Sequence, residues 1–248
     1  MQAHVARRGP RPPRGILAGL PEGSGDPVVR RRPPVAEPVI DTLVLEGLED
    51  AEASDVEPHL DHRALRFADV DLSGRDLRGV EFHECAFDGL VADGADLRGA
   101  RFVETRIERL DAPLLSAARS AWRDVRVAAS RIGAAELYEA DVRTVAVSGS
   151  KLDYVNLRSA EVRDLLFEDC RIGELDLGQA RVERLAFRGC VIGEVRLDAA
   201  RLTSVDLRGA TVGALAGFES LRGVVITPEQ AAGFAEQFAL HLGLTLLD

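Results

Sequence analysis

Several residue types are scarce in this sequence of 248 residues, and each scarcity argues against a class of protein. Three cysteines are too few for a disulfide framework, so we expect reduced thiols and a cytoplasmic protein. No apolar run approaches the roughly 20 residues that a membrane helix needs. Arg7 and Arg8 near the start are not followed by an apolar core, so a secretory signal is not expected either.

Catalytic motifs are absent from the sequence as well. It contains no phosphate loop, dinucleotide fingerprint, nucleophile elbow or zincin helix. His59 and His62 lie close to Asp61, and we interpret this group as a solvated acidic segment rather than as metal ligands. We therefore expect a protein that is not an enzyme and that uses no metal and no cofactor.

The charge is unevenly distributed along the chain. The formal net charge of -10 argues against direct binding of nucleic acid, which needs a basic surface. Residues 1–32 carry +5 and five prolines, residues 33–64 carry -8, and residues 65–215 carry only -4. The expected organisation is a disordered basic tail over 1–38, an N-terminal capping segment over 39–64, a repeat domain over 65–217 and a C-terminal capping and dimerisation segment over 218–248.

A period of five residues dominates the middle of the chain. Every fifth residue from Phe67 to Val212 is apolar, which makes 30 consecutive positions in one register. The residue two positions earlier is usually small or aliphatic, and Cys85, Cys170 and Cys190 occupy this slot. A period of five fits neither a helix of 3.6 residues per turn nor a strand with a period of two. It predicts a chain that turns a corner every five residues, with the three thiols buried.

The best copies of the motif are Val70–Gly74, Ala95–Gly99 and Val205–Gly209. They resemble the pentapeptide-repeat family, whose pattern is small–Asp/Asn–Leu/Phe–polar–Gly, and the resemblance covers about 65–215. It implies an all-β solenoid, a right-handed quadrilateral β-helix with four pentapeptides per coil and about 7–8 coils. Residues 20 apart are then expected to stack at about 4.8 Å. The motif weakens over 110–130, where we expect one or two distorted coils.

A helix is predicted at the C-terminal end of the repeats. Thr227 to Gln230 form a capping box with proline at the first helical position, and the helix is expected to run from 228 to 242. Its apolar stripe either covers its own coil or is shared with a second copy. The ending is similar to that of quinolone-resistance members of the family, which implies a homodimer. The candidate dimer interface consists of Phe234, Phe238 and Leu242.

Two columns of carboxylates are predicted on the outside of the solenoid. With a period of 20, one column holds Asp76, Asp96, Glu136 and Asp176, and the other holds Glu84, Glu104, Asp124 and Asp164. They are either an acidic partner-binding surface or the solvated surface that the repeat pattern itself requires. The family resemblance implies DNA mimicry and binding to DNA gyrase or a related topoisomerase. The alternative is a general protein–protein interaction scaffold with an unknown partner.

Overall fold

A computed structural model describes residues 35–247 of the chain, so residues 1–34 of the predicted tail lie outside the described residues. Two short 3₁₀ helices cover Ala53–Asp55 and Phe218–Ser220. The other elements are β1 (Glu49–Ala51), β2 (Asp61–Arg63), β3 (Leu65–Asp71), β4 (Glu81–His83), β5 (Ala86–Val91), β6 (Arg101–Val103), β7 (Arg106–Ser116), β8 (Ala121–Ala128), β9 (Arg131–Glu136), β10 (Asp141–Ser148), β11 (Lys151–Asn156), β12 (Glu161–Glu168), β13 (Arg171–Asp176), β14 (Arg181–Arg188), β15 (Cys190–Arg196), β16 (Arg201–Asp206), β17 (Ala210–Ala216), β18 (Val224–Val225), α1 (Pro228–Gly233) and α2 (Ala235–His241).

All the strand pairings among these elements are parallel, and the pairing register is 20 residues through the repeat region. Val142 in β10, for example, pairs with Trp122 in β8 on one side and with Val162 in β12 on the other. Because each strand pairs only with the strands one coil away, the chain forms a stack of coils. The predicted β-solenoid is therefore confirmed.

The solenoid has about nine turns, so the expectation of 7–8 coils is slightly too low. The stack extends beyond the five-residue register at both ends. At the start, β1 pairs with β3 and aligns Glu49 with Leu65, although residues 49–64 do not follow the repeat pattern. At the other end, β18 pairs with β16 and aligns Val224 with Val205. Backbone pairing thus continues where the side-chain pattern has already ended.

The core lies inside the coils and follows the five-residue register. Of the 30 apolar register positions, 27 are buried, and Leu137, Val147 and Val212 are half-buried against the same core. Like side chains stack one coil apart, as in the Phe67–Phe87 pair, whose rings are 4.8 Å apart and nearly parallel. Full burial of such a side chain stabilises the fold by about 1.5–3 kcal/mol, so the stability is shared along the whole stack.

The corners between the sides of a coil require an unusual backbone conformation. In the first two complete coils, all four corners have positive φ: Ala64, Asp69, Gly74 and Gly79, and then Glu84, Gly89, Gly94 and Gly99. One corner changes from the third coil onward. The positions that follow Gly94 in this column are extended, and they are Leu114, Ala134, Tyr154, Glu174 and Glu194.

This change occurs within 110–130, where the sequence predicted distortion. β7 runs straight through the former corner, yet its register with β9 is intact, with Ala112 opposite Ile132. Both Ala112 and Ala117 are buried. The coils therefore change the shape of one corner here without losing their pairing.

The non-glycine residues at the remaining corners give a testable effect on stability. Ala199 is exposed with φ of 56°, a conformation that costs an L-residue about 1–2 kcal/mol, whereas glycine adopts it freely. We expect Ala199→Gly to raise the free energy of unfolding by about 0.5–1 kcal/mol. Ala134 occupies the equivalent repeat position in extended β9, so Ala134→Gly should lower it by about the same amount. Urea unfolding measures the change in the free energy of unfolding for both variants. Changes of the same sign would contradict the assignment of corner and extended positions.

The three thiols are buried in the small inward slot of the repeat, as the sequence predicted. The Cys85 thiol donates to the carbonyl oxygens of His62 and His83 at 3.4 and 3.3 Å. Burial raises the pKa of the Cys85 thiol. A hydrogen bond with Cys190, together with burial, raises the pKa of Cys170. All three are free, although Cys170 and Cys190 lie one coil apart.

Thiol reactivity should follow this burial. We expect the folded protein to react slowly with an aromatic disulfide reagent, because reaction requires an accessible thiolate. After denaturation, three thiols per chain should react. Absorbance at completion gives the count, and a count of one would show that Cys170 and Cys190 form a disulfide.

The end of the chain differs in detail from the single predicted helix. The Thr227 side chain accepts a hydrogen bond from the Gln230 backbone, as the capping box predicted, but the helix is divided into α1 and α2 at Phe234. Gln230 donates to the carbonyls of Leu207 and Ala210, both at 2.8 Å, and this fixes α1 to the last repeat coil. Neither helix of the described residues is long and apolar enough to cross a membrane.

Candidate interaction surfaces

The first predicted acidic column lies on the outside of the coils, but its carboxylates are paired. Asp76 and Asp96 each contact the arginine two residues later, Arg78 and Arg98, with closest distances of 2.5 Å. Hydrogen bonds from the Arg78 side chain and backbone lower the pKa of Asp76 to about 2. Pairing with arginine leaves this part of the column with little net charge.

The C-terminal half of the same column is more enclosed. Glu136 accepts a hydrogen bond from Asn156 at 2.7 Å. Asp176 has only 6% of its side chain exposed, and it is 3.1 Å from Arg158. It also accepts a hydrogen bond from the backbone of Gly178. These carboxylates hold neighbouring coils together, and they present little free charge to a partner.

The second column occupies corners with positive φ, at Glu84, Glu104, Asp124 and Asp164. Glu84 and Glu104 are exposed, whereas Asp164 is buried. Arg184 holds Asp164 through two hydrogen bonds of 2.6 and 2.7 Å. Burial raises the pKa of Asp164, but the hydrogen bonds from Arg184 and from the Val39 backbone outweigh burial, so that the pKa is lowered. The free charge of this column therefore lies at its N-terminal end.

Asp164 is covered by a segment that precedes the repeats, and the sequence did not indicate that this segment lies on the coils. Residues 36–44, which we call the strap, cross the outside of the coils in an irregular conformation. The strap makes four polar contacts with the coils. Ala36 donates to Ser204, Glu37 pairs with Arg188, Val39 donates to Asp164 at 2.8 Å, and Asp41 accepts from Arg126.

These contacts show that the strap runs along the axis of the solenoid. From Ser204 to Arg126 the contacts pass through nearly four coils, which is about 19 Å at the spacing between strands. The five residue-to-residue steps from Ala36 to Asp41 span about 17 Å when fully extended. The two lengths agree, so this part of the strap is close to fully stretched and crosses the strands of the coils.

An apolar contact fixes the middle of the strap. Ile40 packs on a small outward-facing cluster of Ala146, Leu166 and Ala186, which are stacked one coil apart and buried. Elsewhere in this column the position is charged in four coils, at Arg66, Arg106, Arg126 and Asp206, and it is alanine at Ala86. An outward apolar column is therefore the signal by which the sequence could have indicated a covered surface.

The segment that precedes the repeats changes the charge of the solenoid. The repeats alone carry -4, but residues 35–64 carry -8, and this segment contacts the coils through the strap and through β1. The described residues 35–247 contain 38 acidic and 24 basic side chains, which gives a net charge of -14. The solenoid is thus much more acidic than its repeats, and its excess charge comes from the segment that precedes them.

A groove of about 510 Å³ lies along another side of the later coils. Its charged residues alternate in sign and form ion pairs, such as Arg163 with Glu183 at 2.6 Å and Arg181 with Glu161 at 3.3 Å. Arg201 also lines the groove and makes no ion pair among the described residues. A lining with charges of both signs suits the binding of a protein better than the binding of a polyanion.

At the N-terminal end of the same side, Asp61, Glu81 and His83 place their ligand atoms within 4.8 Å of one another. Asp61 is close to His59 and His62 in the sequence, but His62 points inward and stacks on Phe82. Arg63 pairs with Asp61 at 2.7 Å, and Arg101 is 3.5 Å from Glu81. Because arginines neutralise both carboxylates, we interpret the cluster as an ion-pair network.

The C-terminal end carries the most concentrated exposed apolar surface. Among the described residues, five of the eleven exposed large apolar side chains belong to 240–247: Leu240, Leu242, Leu244, Leu246 and Leu247. Of the three candidate interface residues, Phe234 is buried in its own chain, and Phe238 packs against Phe218 with a ring separation of 4.9 Å. Leu242 is 75% exposed. A contact with a second copy at this end would therefore use the leucines rather than the phenylalanines.

Comparison with known proteins identifies the repeat. Residues 66–102 match the family model of pentapeptide repeats in eight copies, whereas no curated protein matches the sequence. A trypsin-treated variant of QnrB1, a plasmid-mediated fluoroquinolone resistance protein, is 18% identical, with coverage of 80% of this chain and 96% of that chain and a TM-score of 0.30. HetL, a pentapeptide repeat protein involved in heterocyst differentiation regulation from the cyanobacterium Nostoc sp. strain PCC 7120, is 17% identical, with coverage of 68% and 90% and a TM-score of 0.34.

The family match therefore rests on the repeats themselves. The matched copies over 66–102 continue in the same five-residue register to Val212, and the structure gives every 20 residues of that register one parallel coil. Residues 66–102 thus match the pentapeptide-repeat family model, and the same repeat and the same parallel coils continue beyond them.

Proposed function

We propose that this chain is a non-enzymatic interaction protein whose acidic solenoid binds a protein partner with a basic surface. The net charge of -14 on residues 35–247 carries this proposal. A charge of this size attracts a basic partner over about a Debye length and increases the rate of association. Because the largest share of this charge, -6, lies in residues 45–64, the N-terminal end of the solenoid belongs to the binding surface.

The finer proposal is that the partner is DNA gyrase or a related topoisomerase and that the solenoid mimics DNA. About nine turns at the strand spacing give a rod of roughly 40 Å. A homodimer joined at the C-terminal ends would double this length. A long acidic rod of this kind suits a basic surface that normally holds a DNA duplex.

A gyrase supercoiling assay tests the finer proposal. We expect wild-type protein to inhibit supercoiling, and we expect the inhibition to weaken as salt is raised. Glu84 and Glu104 make no ion pair among the described residues, so the double variant Glu84→Lys/Glu104→Lys should inhibit less. Glu219→Lys changes an exposed acid at the other end of the solenoid and is the matched control. Absence of inhibition by the wild type would exclude gyrase and leave the broader proposal standing.

The alternative is a general interaction scaffold without DNA mimicry. The ion pairing of the first acidic column favours it, because Asp76 and Asp96 lie beside Arg78 and Arg98 and present little free charge. A scaffold of this kind should retain a specific protein from the native cytoplasm, and the amount retained should change little as salt is raised. Affinity capture at low and high salt, with identification by mass spectrometry, separates the two: loss of the partner at high salt supports the acidic surface.

A further inference from the structure

We infer that the surface beneath the strap is a recognition site for an extended peptide, and that a segment of a partner protein with the chemistry of residues 36–41 displaces the strap from it. This inference deepens the interaction function proposed above and rests on it. The site consists of Arg126, Ala146, Asp164, Leu166, Arg188 and Ser204, with Ala186 completing the apolar cluster.

The site binds backbone groups in a fixed direction. Arg184 occupies both carboxylate oxygens of Asp164, which orients the carboxylate so that Oδ1 also accepts the Val39 N–H. Two residues further along the strap, the Arg126 guanidinium donates to the Asp41 carbonyl. Both contacts use main-chain atoms: any residue except proline offers the N–H at position 39, and every residue offers the carbonyl at position 41. They therefore select an extended backbone rather than particular side chains.

Side-chain selectivity comes from two other contacts. Ile40 lies between the two backbone contacts and fills the slot formed by Ala146, Leu166 and Ala186. Glu37 is three residues earlier and pairs with Arg188 at 3.3 Å. The site therefore fits a segment with an acidic residue followed, three positions later, by a branched aliphatic residue.

The strap itself is suited to being displaced. Val39 and Val44 keep 58% and 66% of their surface exposed, and Ile40 is the strap side chain that packs on the buried cluster. The remaining contacts are a few partly solvated hydrogen bonds, and the ordering of an extended segment opposes them. Local segments with few buried contacts open more readily than the core of a protein. Removing the strap would leave the parallel coils intact, because their backbone pairing does not involve it.

The experiment uses a fluorescent peptide of residues 35–46 and the full-length chain. In the Ile40→Asp chain the strap's own apolar contact is lost, so the site is open to the peptide. We expect this chain to bind the peptide at least ten-fold more tightly than the wild type in fluorescence anisotropy. Adding Leu166→Glu, which alters only the outward slot, should abolish binding, as should aspartate at the position of Ile40 in the peptide. Circular dichroism and melting temperature confirm that the coils stay folded.

The outcomes separate the possibilities. Absence of peptide binding to a folded Ile40→Asp chain, or equal binding of both peptides, would overturn the inference. Doubling of the wild-type mass at high concentration, lost in Ile40→Asp, would assign the site to the strap of a second copy and would also overturn it. The supercoiling and salt-dependent capture experiments measure the acidic surface independently. If both of these experiments fail while the peptide still binds, the proposed acidic binding surface is rejected and the peptide site is not.

Discussion

Leu157→Arg should abolish stable folding of the repeat domain. Leu157 is 2% exposed, and it lies in a column with Leu137 and Leu177 of the neighbouring coils. An apolar void of about 70 Å³ beside it gives space to part of an arginine chain but offers no partner for the charge. An unpaired buried charge costs several kcal/mol, so we expect a loss of more than about 4 kcal/mol in the free energy of unfolding.

The matched control introduces the same side chain on the outside of the same coil. Asp153 is exposed and its carboxylate pairs with the exposed Lys151 at 3.0 Å, so Asp153→Arg should change the free energy of unfolding by less than about 1 kcal/mol. Chemical denaturation followed by circular dichroism measures both variants. Similar destabilisation by the two would show that the inward and outward positions have been assigned wrongly.

Arg158, which follows Leu157, illustrates what the repeat pattern alone does not reveal. Its outward position predicts that its loss is nearly neutral, but Arg158 is the ion-pair partner of Asp176, whose side chain is almost fully buried. Removal of the arginine would leave that carboxylate with the Gly178 N–H as its remaining close partner. Since an uncompensated buried charge is costly, Arg158→Ala is not a neutral control.

The interior of the solenoid could be predicted from the sequence because its rule is local and strictly periodic. One apolar residue in every five specifies the core, and a period of 20 places Phe67 on Phe87 and Phe167 on Phe187, as the structure shows. The corners were less predictable. Gly94 adopts positive φ and Leu114, one coil later, is extended, but Glu104 and Arg109 adopt positive φ without glycine. Residue type alone therefore does not determine the corner conformation.

The strap could not be predicted in the same way because its contacts join distant parts of the chain. Ala36 contacts Ser204, and Asp41 contacts Arg126, at separations that no repeat period connects. The period of 20 stacks Asp76 on Asp96, and the same period would have paired Asp164 with Arg184. The strap covers Asp164, whereas arginines pair with Asp76 and Asp96, so composition indicated the total charge but not which carboxylates are free.

A second large effect is expected in the mass of the protein in solution. Gln230 and Gln237 tie the C-terminal helices to the last coils, and Phe234 is buried there, so the helices close the solenoid within one chain. What remains exposed is a group of leucines after that closure, with Leu240 and Leu242 at 57% and 75% exposure. A concentrated apolar surface at one end favours an isologous contact with the same surface of a second copy.

We therefore expect light scattering to give a mass near twice 26.8 kDa at tens of micromolar. Leu240→Asp/Leu242→Asp should halve this mass, because it places four charges in a two-fold contact without touching the buried Phe234. Phe238→Asp is a poorer test, since Phe238 packs on Phe218 of its own chain and its loss would also loosen the cap. Val191→Asp, at an exposed apolar side chain on the side of the coils, is the control and should leave the mass unchanged. A wild-type protein that stays monomeric at this concentration would exclude the end-to-end dimer. The rod would then keep its single length of roughly 40 Å, and DNA mimicry would lose the doubled length that favours it over a general scaffold.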